Sequence, residues 1–493
     1  MTTIDRTWLR GAALLPTAAA GVTLGLVMPR GPMTTGQSVV AFLVALAVGV
    51  TAGWFARTRW AAVAAPVTYA GLFELARVGT DGPTVDGLRF DSIYAVGAMV
   101  AGRGFDALVV GLPMVVAALW GAAAARRRTG VVGASRAWRL VRRAGLATAT
   151  LAVVALLAAL VRPATTEPIV DAQGRRVEGS VAELVTIEVG GHDQSLMIRG
   201  VDADAPLLLF LEGGPGGTAT GSMRYAGEPL EREFVVATWD QRGTGRSADV
   251  LGPVDTMTVD QAVADTVEVI EYLCDRFGER GVYLVGSSWG TTLGVLVAQQ
   301  RPDLVHAYVG AGQMVSQAVT DQLMYDESLA YAERSGDEAF ARTLRDIGRP
   351  PYDDPLHYPL ALSSNPEWTD FEPAPDHDWR ASYPVGVFVS EYTLTEQVRS
   401  IAGLYETFAV LYPQLLGIDF RTDVPRLEVP VLLVQGAYEA DGRDVLAREW
   451  FAALEAPDKE LITFAHAGHT PHLDEPGHFA DVMAALADRT YPR

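Results

Sequence analysis

The sequence has a single cysteine, Cys274, so the chain cannot form an internal disulfide. Cys274 falls on the apolar face of a helix that the spacing of Val263, Val267 and Ile270 predicts, and we interpret it as a small buried core residue. Proteins inside and outside the cell can both lack disulfides, so the cysteine content leaves the compartment open.

Positive charge is scarce outside the first third of the chain. The formal net charge is −20, and residues 1–162 contain 16 Arg against 6 Asp plus Glu, a net of +10. The remaining 331 residues therefore carry −30. A surface of that sign argues against nucleic acid as a partner, because phosphate groups are bound by positive charge.

The pattern typical of a metal site is also missing. His466, His469, His472 and His478 recur at short steps, but they follow a predicted strand instead of lying on one face of a helix. Neither an H-E-x-x-H motif nor further cysteines accompany them. We therefore predict no metal ion and no cofactor.

Long apolar runs, in contrast, fill the first third of the chain. A helix needs ~20 apolar residues to cross the hydrocarbon core of a membrane. Five runs approach that length, at residues 11–28, 38–56, 60–76, 105–125 and 144–161. The first run could instead be a signal peptide, with Arg6 and Arg10 ahead of it. We predict that residues 1–162 form a membrane region with about five transmembrane helices.

Arginines predict how these helices are oriented. Arg57 and Arg59 lie between the second and third runs. Seven more lie between the fourth and fifth runs: Arg126, Arg127, Arg128, Arg136, Arg139, Arg142 and Arg143. By the positive-inside rule both loops are cytoplasmic, and an odd number of spans that starts inside places everything after Val161 on the extracytoplasmic side. We predict a multi-pass protein of the cell membrane.

Few ionisable residues interrupt the apolar runs, which contain no Lys and no His. Glu74 lies near the end of the third run, and we interpret it as a residue of the membrane interface. The membrane region is therefore predicted to be an anchor, with transport or sensing as the alternative.

The rest of the chain alternates strand and helix patterns. Residues 163–180 are polar and without periodicity, which predicts a linker. From 181 to 493 a hairpin pattern and the apolar run Leu207–Leu211 begin a series of strands and helices, and about 313–425 lack strand alternation and predict an inserted cap. The predicted fold class is α/β, a mostly parallel sheet with helices on both faces, preceded by an all-α transmembrane region.

Residues 286–290, Gly-Ser-Ser-Trp-Gly, have the G-x-S-x-G pattern of a nucleophile elbow. A short apolar strand precedes them, and a helical pattern follows until Pro302. Glycine at the two outer positions removes the Cβ atoms that would collide in a sharp strand-to-helix turn. Ser288 is therefore the candidate nucleophile, exposed at the end of the strand.

Three motifs resemble those of the proline iminopeptidase branch of the α/β-hydrolases. The chain has Glu212 to Gly216 for H-G-G-P-G, Asp240 to Ser247 for D-Q-R-G-x-G-x-S, and Gly286 to Gly290 for G-x-S-W-G. The resemblance covers about residues 181–493, and the cap matches poorly. It implies an α/β-hydrolase fold and an aminopeptidase that cleaves N-terminal residues, often proline, from peptides.

The resemblance also implies a catalytic triad and an oxyanion hole. A serine needs a base to take its proton and a carboxylate to orient that base, and in this fold the order along the chain is Ser, Asp or Glu, His. His469 matches the base and Glu439 the acid, with Asp441 as the alternative acid. The oxyanion hole would combine the backbone N–H of Trp289 with that of Gly213 or Gly214.

Two acidic residues are candidates for binding the substrate's amine. Glu212 replaces the histidine of the family's motif, and it is either a buried partner of Arg242 or a ligand of the amine. Glu391, in the cap, resembles part of a Glu-then-Tyr stretch of the family. Asp240 and Arg242 are interpreted as a pair that braces a loop.

These features predict a membrane-anchored serine hydrolase that forms an acyl-enzyme and is most similar to an aminopeptidase. The alternatives are a carboxylesterase or lipase-like hydrolase of small esters and a non-enzymatic membrane receptor that retains the fold. The expected partners are a small peptide or ester substrate and the lipid bilayer.

Overall fold

The computed structural model describes residues 11–127 and 136–491. The chain divides into two compact units. The first is Met1–Pro163 with Thr393–Ala402, and the second is Ala164–Tyr392 with Gly403–Arg493. The sequence did not predict that ten residues of the cap group with the N-terminal helices.

The described part of the first unit is built of helices. They are α1 (Leu15–Val27), α2 (Thr35–Ala56), α3 (Ala61–Ala76), α4 (Ile93–Arg127) and α5 (Arg136–Leu160). Three of them, α2, α4 and α5, are long and apolar enough to cross a membrane, whereas α1 and α3 are shorter. The helix predicted at 105–125 begins at Ile93 instead, because Arg103 and Asp106 are accommodated inside it. Arg6, Arg10 and residues 128–135 of the arginine-rich link lie outside the described residues.

Small residues bring α2 and α4 into backbone contact. A Cβ atom on Gly53 would lie 2.0 Å from the carbonyl oxygen of Ala118, and one on Gly121 would lie 2.3 Å from that of Val50. Packing of this kind is common between helices in membranes. The outer surface of the unit is apolar as well, since Leu151 on α5 is 69% exposed.

The segment Thr393–Ala402 is held to the helices of the first unit by polar contacts. The hydroxyls of Ser38 and Thr395 lie 2.9 Å apart. Arg399, which is 1% exposed, donates from Nε to the carbonyl oxygen of Pro32 at 2.8 Å.

An eight-stranded sheet forms the centre of the second unit. The strands are β1 (Val181–Val189), β2 (His192–Gly200), β3 (Leu207–Leu211), β4 (Val235–Asp240), β5 (Val282–Ser287), β6 (Val305–Ala311), β7 (Val431–Gly436) and β8 (Lys459–Phe464). Their order is β1-β2-β4-β3-β5-β6-β7-β8. The predicted hairpin of β1 and β2 is confirmed and joins β4 antiparallel, and all the other pairs are parallel.

Helices connect these strands. Those of eight or more residues are α6 (Ala219–Ala226), α7 (Val259–Phe277), α8 (Trp289–Gln300), α9 (Gln317–Ser335), α10 (Glu338–Ile347), α11 (Leu394–Leu411), α12 (Asp441–Ala453) and α13 (Pro476–Thr490). The first residues of α11, up to Ala402, belong to the first unit. Thr258 caps α7 by accepting a hydrogen bond from the N–H of Gln261, and Cys274 on α7 is buried. The burial of Cys274 agrees with the sequence analysis.

The central strands are apolar on both faces because helices cover both. Leu207, Leu209 and Leu211 pack into one core, and Leu208 and Phe210 pack into the other. Each fully buried leucine contributes roughly 1.5–3 kcal/mol to folding. The carboxyl ends of parallel strands meet at one edge of a sheet, so the loops after β3, β5, β6, β7 and β8 are brought together there.

Part of the predicted linker, residues 163–180, is fixed to β2. The guanidinium of Arg199 donates to the hydroxyl of Thr166 at 2.8 Å and to the carbonyl oxygen of Glu167 at 2.7 Å. Its Nε atom donates to the carboxylate of Glu231 at 2.8 Å. Some polar groups of this segment therefore bond to the sheet and are not only solvated.

Candidate active site

Ser288 lies in a strained turn between β5 and α8. Its backbone has φ 51° and ψ −117°, and only one other non-glycine residue in the described part of the chain has a positive φ. A Cβ atom on Gly286 would lie 2.3 Å from the carbonyl oxygen of Gly290, and one on Gly290 would lie 2.0 Å from that of Leu211. The two glycines of the motif are thus required by close backbone contacts. Strain of about 1–3 kcal/mol at such a residue is typical of functional sites.

His469 and Glu439 form a hydrogen-bonded pair on the loops after β8 and β7. The Nδ1 atom of His469 lies 2.5 Å from Oε2 of Glu439, whose side chain is 1% exposed. Donation from Nδ1 to this carboxylate leaves Nε2 of the imidazole as the proton acceptor. Asp441, the alternative acid, is exposed at the start of α12.

Arg443, which the sequence analysis missed, contacts the same carboxylate. The Nη1 atom of Arg443 lies 3.3 Å from Oε1 of Glu439. The same oxygen accepts a hydrogen bond from the backbone N–H of Ala440 at 2.9 Å. Burial opposes ionisation of Glu439, but it is outweighed by the charge of His469 when the imidazole is protonated, by the charge of Arg443 and by hydrogen bonds from His469 and Ala440, which together lower the pKa of Glu439 to about 2. The i,i+4 spacing of Glu439 and Arg443 at a helix start was the available signal.

The pKa of His469 is lowered, first by burial and then by the positive charge of Arg443, while Glu439 acts in the opposite direction. The imidazole is therefore neutral at neutral pH, the state that a general base requires.

Gly312, at the end of β6, brings the serine and the histidine to one place. The backbone N–H of Ser288 donates to the carbonyl oxygen of Ala311 at 3.2 Å. A Cβ atom on Gly312 would lie 2.4 Å from the carbonyl oxygen of His469 and 2.9 Å from its Nδ1 atom. The two residues therefore flank the same strand end, which a motif search from sequence does not detect.

The loop after β3 lies against Ser288. A Cβ atom on Gly213 would lie 3.0 Å from Cβ of Ser288, so glycine allows the backbone of this loop to approach the serine side chain. Trp289 is the first residue of α8, where a backbone N–H has no intrahelical acceptor. Gly214 follows with φ 121°. The N–H groups of Trp289 and of this glycine loop are the candidates that the sequence analysis named for an oxyanion hole.

Gln241 connects the two sides of this loop cluster. Its side-chain amide donates to the carbonyl oxygen of Glu212 at 3.2 Å and accepts from the indole N–H of Trp289 at 3.0 Å. The role of the D-Q-R-G motif here is thus to fix the loop after β3 to the start of α8.

Glu212 precedes Gly213, which packs against Ser288, and within the described residues no hydrogen bond or ion pair joins it to Arg242. Its Oε1 atom accepts the backbone N–H of Gly213 at 2.9 Å. Burial raises the pKa of Glu212, although Gly213 and the hydroxyl of Ser222 oppose that change. A carboxyl group held in this way can accept a further hydrogen bond from a bound substrate.

The sequence analysis considered Glu212 and Asp240 as partners of Arg242, but its ion-pair partner is a different residue. Arg242 forms a bidentate ion pair with Asp265 of α7, with distances of 2.9 and 3.1 Å. Asp240 instead accepts the hydroxyl of Tyr392 at 2.6 Å and the backbone N–H of Arg246 at 3.0 Å. Asp240 and Arg242 are only two residues apart but bond to different parts of the protein. Each of them therefore holds the loop in place through a different contact.

Glu391 is buried and engaged with a cation of its own unit. Its Oε1 atom lies 2.7 Å from Nε of Arg224, and its side chain is 2% exposed. The neighbouring hydroxyl of Ser390 donates to its other oxygen at 3.1 Å. This carboxylate is therefore neutralised by an arginine instead of being open to an ammonium group.

A cavity of about 440 Å³ opens beside the histidine. Its lining includes Trp368, Phe371, His377, Arg443, His469 and Asp474. Burial raises the pKa of Asp474 to about 6, although this carboxylate accepts the N–H of Gly468 at 3.0 Å. The cavity has a size typical of small-molecule sites and combines aromatic walls with a few polar groups.

The other histidines near β8 have separate environments. His466 contacts the carbonyl oxygen of Glu372 through Nδ1 at 3.2 Å. His472 packs against Phe210, and His478 stacks on Phe464 with ring centroids 4.1 Å apart.

Comparison with known proteins gives consistent matches over the second unit. A protein-family model described as the α/β hydrolase fold matches residues 206–476. The probable aminopeptidase YbaC of Bacillus subtilis (strain 168) is 32% identical over 311 residues, which cover 62% of this chain and 97% of the relative. A proline iminopeptidase of Heyndrickxia coagulans is 23% identical over 291 residues, covering 56% and 88%.

Solved structures are also similar to part of the chain. A proline iminopeptidase-related protein from Thermus thermophilus aligns at 19% identity with a TM-score of 0.43, over 63% of this chain and 99% of that protein. The family model covers more than half of the chain, and the relative from B. subtilis is matched over nearly its whole length. The chain therefore belongs to the α/β-hydrolase family, within which it resembles the proline iminopeptidases.

Proposed function

We propose that this protein is a serine hydrolase that acts through an acyl-enzyme. Ser288 attacks the substrate carbonyl, His469 takes the proton of the serine, and Glu439 stabilises the resulting imidazolium. The observation that carries the proposal is the 2.5 Å contact between Glu439 and His469, directly beside the cavity. The N–H of Trp289 with that of Gly214 is assigned to the developing oxyanion, since the N–H of Gly213 already donates to Glu212.

The substrate class we propose is a peptide or aminoacyl compound with a free N-terminal amine. The names of the two sequence relatives support this class. Glu212 is the better amine ligand of the two acidic candidates, because Glu391 is occupied by Arg224. A protonated amine beside Glu212 would favour the ionised carboxylate and gain a charge-assisted hydrogen bond.

We further propose that the first unit anchors the protein in the cell membrane and that the hydrolase unit faces the extracytoplasmic side. Three helices of sufficient length, an apolar outer surface and backbone contacts between helices support the anchor. The positions of Arg57 and Arg59 support the orientation. Protease added to intact spheroplasts should then remove the hydrolase unit. Protection until the membrane is lysed would reverse the orientation.

The reaction can be tested on the full-length protein in detergent. Aminoacyl anilides and acyl esters of matched size would be compared, with the Ser288→Ala variant as the blank. Faster turnover of aminoacyl anilides is expected. Turnover of esters alone would favour the carboxylesterase alternative, and no turnover together with no labelling by a fluorophosphonate would favour a receptor.

A further inference from the structure

The helices of the first unit enclose a second cavity, of about 290 Å³. Most of its wall is apolar, with contributions from Met28, Ala41, Pro66, Phe73 and Val110. The polar residues of the wall are Tyr69, Glu74, Arg103 and Asp106. The volume is close to the lower end of the range of about 300–1,000 Å³ that is usual for ligand pockets.

The polar residues of this bundle cavity belong to a charge network that the sequence analysis did not foresee. Glu74, expected at the membrane interface, accepts hydrogen bonds from Arg77 at 2.8 and 3.0 Å and from Arg103 at 3.2 Å. Arg103 also donates to the carbonyl oxygens of Thr84 and Val85, at 3.0 and 2.9 Å. Glu74 and its two arginines are therefore largely satisfied by each other and by the backbone.

Asp106 is different. Within residues 11–127 and 136–491, no donor reaches hydrogen-bond distance of its buried Oδ1 atom. Arg399 belongs to the same unit, but its Nη2 atom is 3.8 Å from this oxygen, beyond the usual range of such bonds. A carboxylate oxygen in an apolar bundle is costly without a donor, and such residues mark functional sites in membrane helices.

The backbone of α4 gives an independent indication of a site. Two π-helical segments, Val100–Gly104 and Ala107–Gly111, flank Asp106, and both contribute residues to the cavity wall. Single π turns are rare and occur frequently at functional sites. Irregular helices at membrane depth are found where they line a cavity or are covered by protein.

We propose that the bundle cavity binds a single-chain lipid with a neutral, hydroxylated headgroup. The alkyl chain would lie along the apolar wall, and a hydroxyl would donate to Asp106. Three arginines, Arg77, Arg103 and Arg399, face two carboxylates at this end, so an ammonium headgroup would add charge to a site that is already positive overall. A carboxylate headgroup would offer no donor to Asp106.

The test uses the full-length protein in detergent and a 1-O-alkylglycerol with a photoreactive group in its chain. The ether cannot be hydrolysed, so binding is measured independently of catalysis. Competitors of equal chain length are an unlabelled alkylglycerol, an alkylamine and a fatty acid. The alkylglycerol is expected to compete at least about tenfold better than the other two. Equal competition by all three, or the best competition by the amine or the acid, would overturn the proposal.

Two variants locate the site. Gly111 lines the cavity, and a Cβ atom there would meet nothing within 4 Å, so Gly111→Leu should fill the cavity without a clash and abolish saturable labelling. Gly71, in α3 and also open, provides the matched Gly71→Leu control, which should bind like the wild type. Asp106→Asn should weaken the alkylglycerol by about tenfold, because an amide oxygen is a weaker hydrogen-bond acceptor than a carboxylate. Labelling of Gly111→Leu equal to that of the control would place the lipid elsewhere.

Discussion

Glu439 in the second unit and Glu74 in the first unit have different kinds of partners. In the second unit, Glu439 has one arginine and one histidine as partners, so its charge acts on a group that can take a proton. In the first unit, Glu74 has two arginines as partners, which cannot lose a proton at any physiological pH. The first arrangement suits the proton transfer that we propose for His469, whereas the second joins helices and forms part of the polar wall of the bundle cavity.

Among the changes that test this comparison, loss of the proposed nucleophile should lower kcat the most. Ser288→Ala is expected to lower kcat by on the order of a thousandfold or more, because only binding and oxyanion stabilisation remain. The matched Ser287→Ala variant should keep most of the activity. Fluorophosphonate labelling of Ser288→Ala to the wild-type extent would show that the nucleophile is another residue.

Removing the charge of the triad acid should have the next largest effect. Glu439→Gln is expected to lower kcat by on the order of a hundredfold or more, because a neutral amide cannot stabilise the imidazolium. Asp441→Asn, at an exposed position two residues further on, should change kcat by less than about threefold. The opposite ranking of the two variants would transfer the role to Asp441.

Blocking the amine of the substrate tests the role of Glu212. N-acetylation of a proline anilide should lower kcat/KM by about ten- to a hundredfold, the equivalent of roughly 1.5–3 kcal/mol for a charge-assisted hydrogen bond. Glu212→Gln should reduce this preference, whereas Glu391→Gln should leave it in place. Equal rates on both substrates in the wild type would contradict an exopeptidase.

Substitution of Arg443 should have the smallest effect, a shift in the pH dependence of kcat/KM. Activity requires neutral His469, so kcat/KM falls as the pH drops through the pKa of this histidine. Arg443 contributes to lowering that pKa, so Arg443→Gln should raise it and move the acid limb to higher pH by a few tenths to about one unit. Arg448→Gln, which breaks an exposed ion pair of the same helix, is the control. An acid limb that does not move would limit Arg443 to a structural role.

The sequence predicted the sheet well because local signals agree there. Such local signals are the apolar run Leu207–Leu211, the helix cap at Thr258 and the glycines around Ser288. Each of them determines the structure of residues close to it in the sequence. The ends of strands are less well indicated: the apolar run of β7 begins at Val429, but the strand begins at Val431. Such ends are set by pairing with neighbouring strands, which apolar patterns do not report.

Interactions between distant residues were missed or wrong. The pairs Arg242 with Asp265 and Arg224 with Glu391 join segments 23 and 167 residues apart. Gly312 matters only because His469 folds over it, more than a hundred residues later in the chain. A single sequence carries no signal for such partners, whereas resemblance to a family's motifs was enough to select Ser288 and His469 as candidates.

The grouping of Thr393–Ala402 with the N-terminal helices affects whether the hydrolase unit can be produced without them. A truncated chain starting near residue 163 would lack Pro32 and Ser38, which bond to Arg399 and Thr395. Both of those residues are almost fully buried in the intact protein. The shortened protein would expose a surface made for helices that are no longer present, and we expect it to aggregate unless that surface is redesigned.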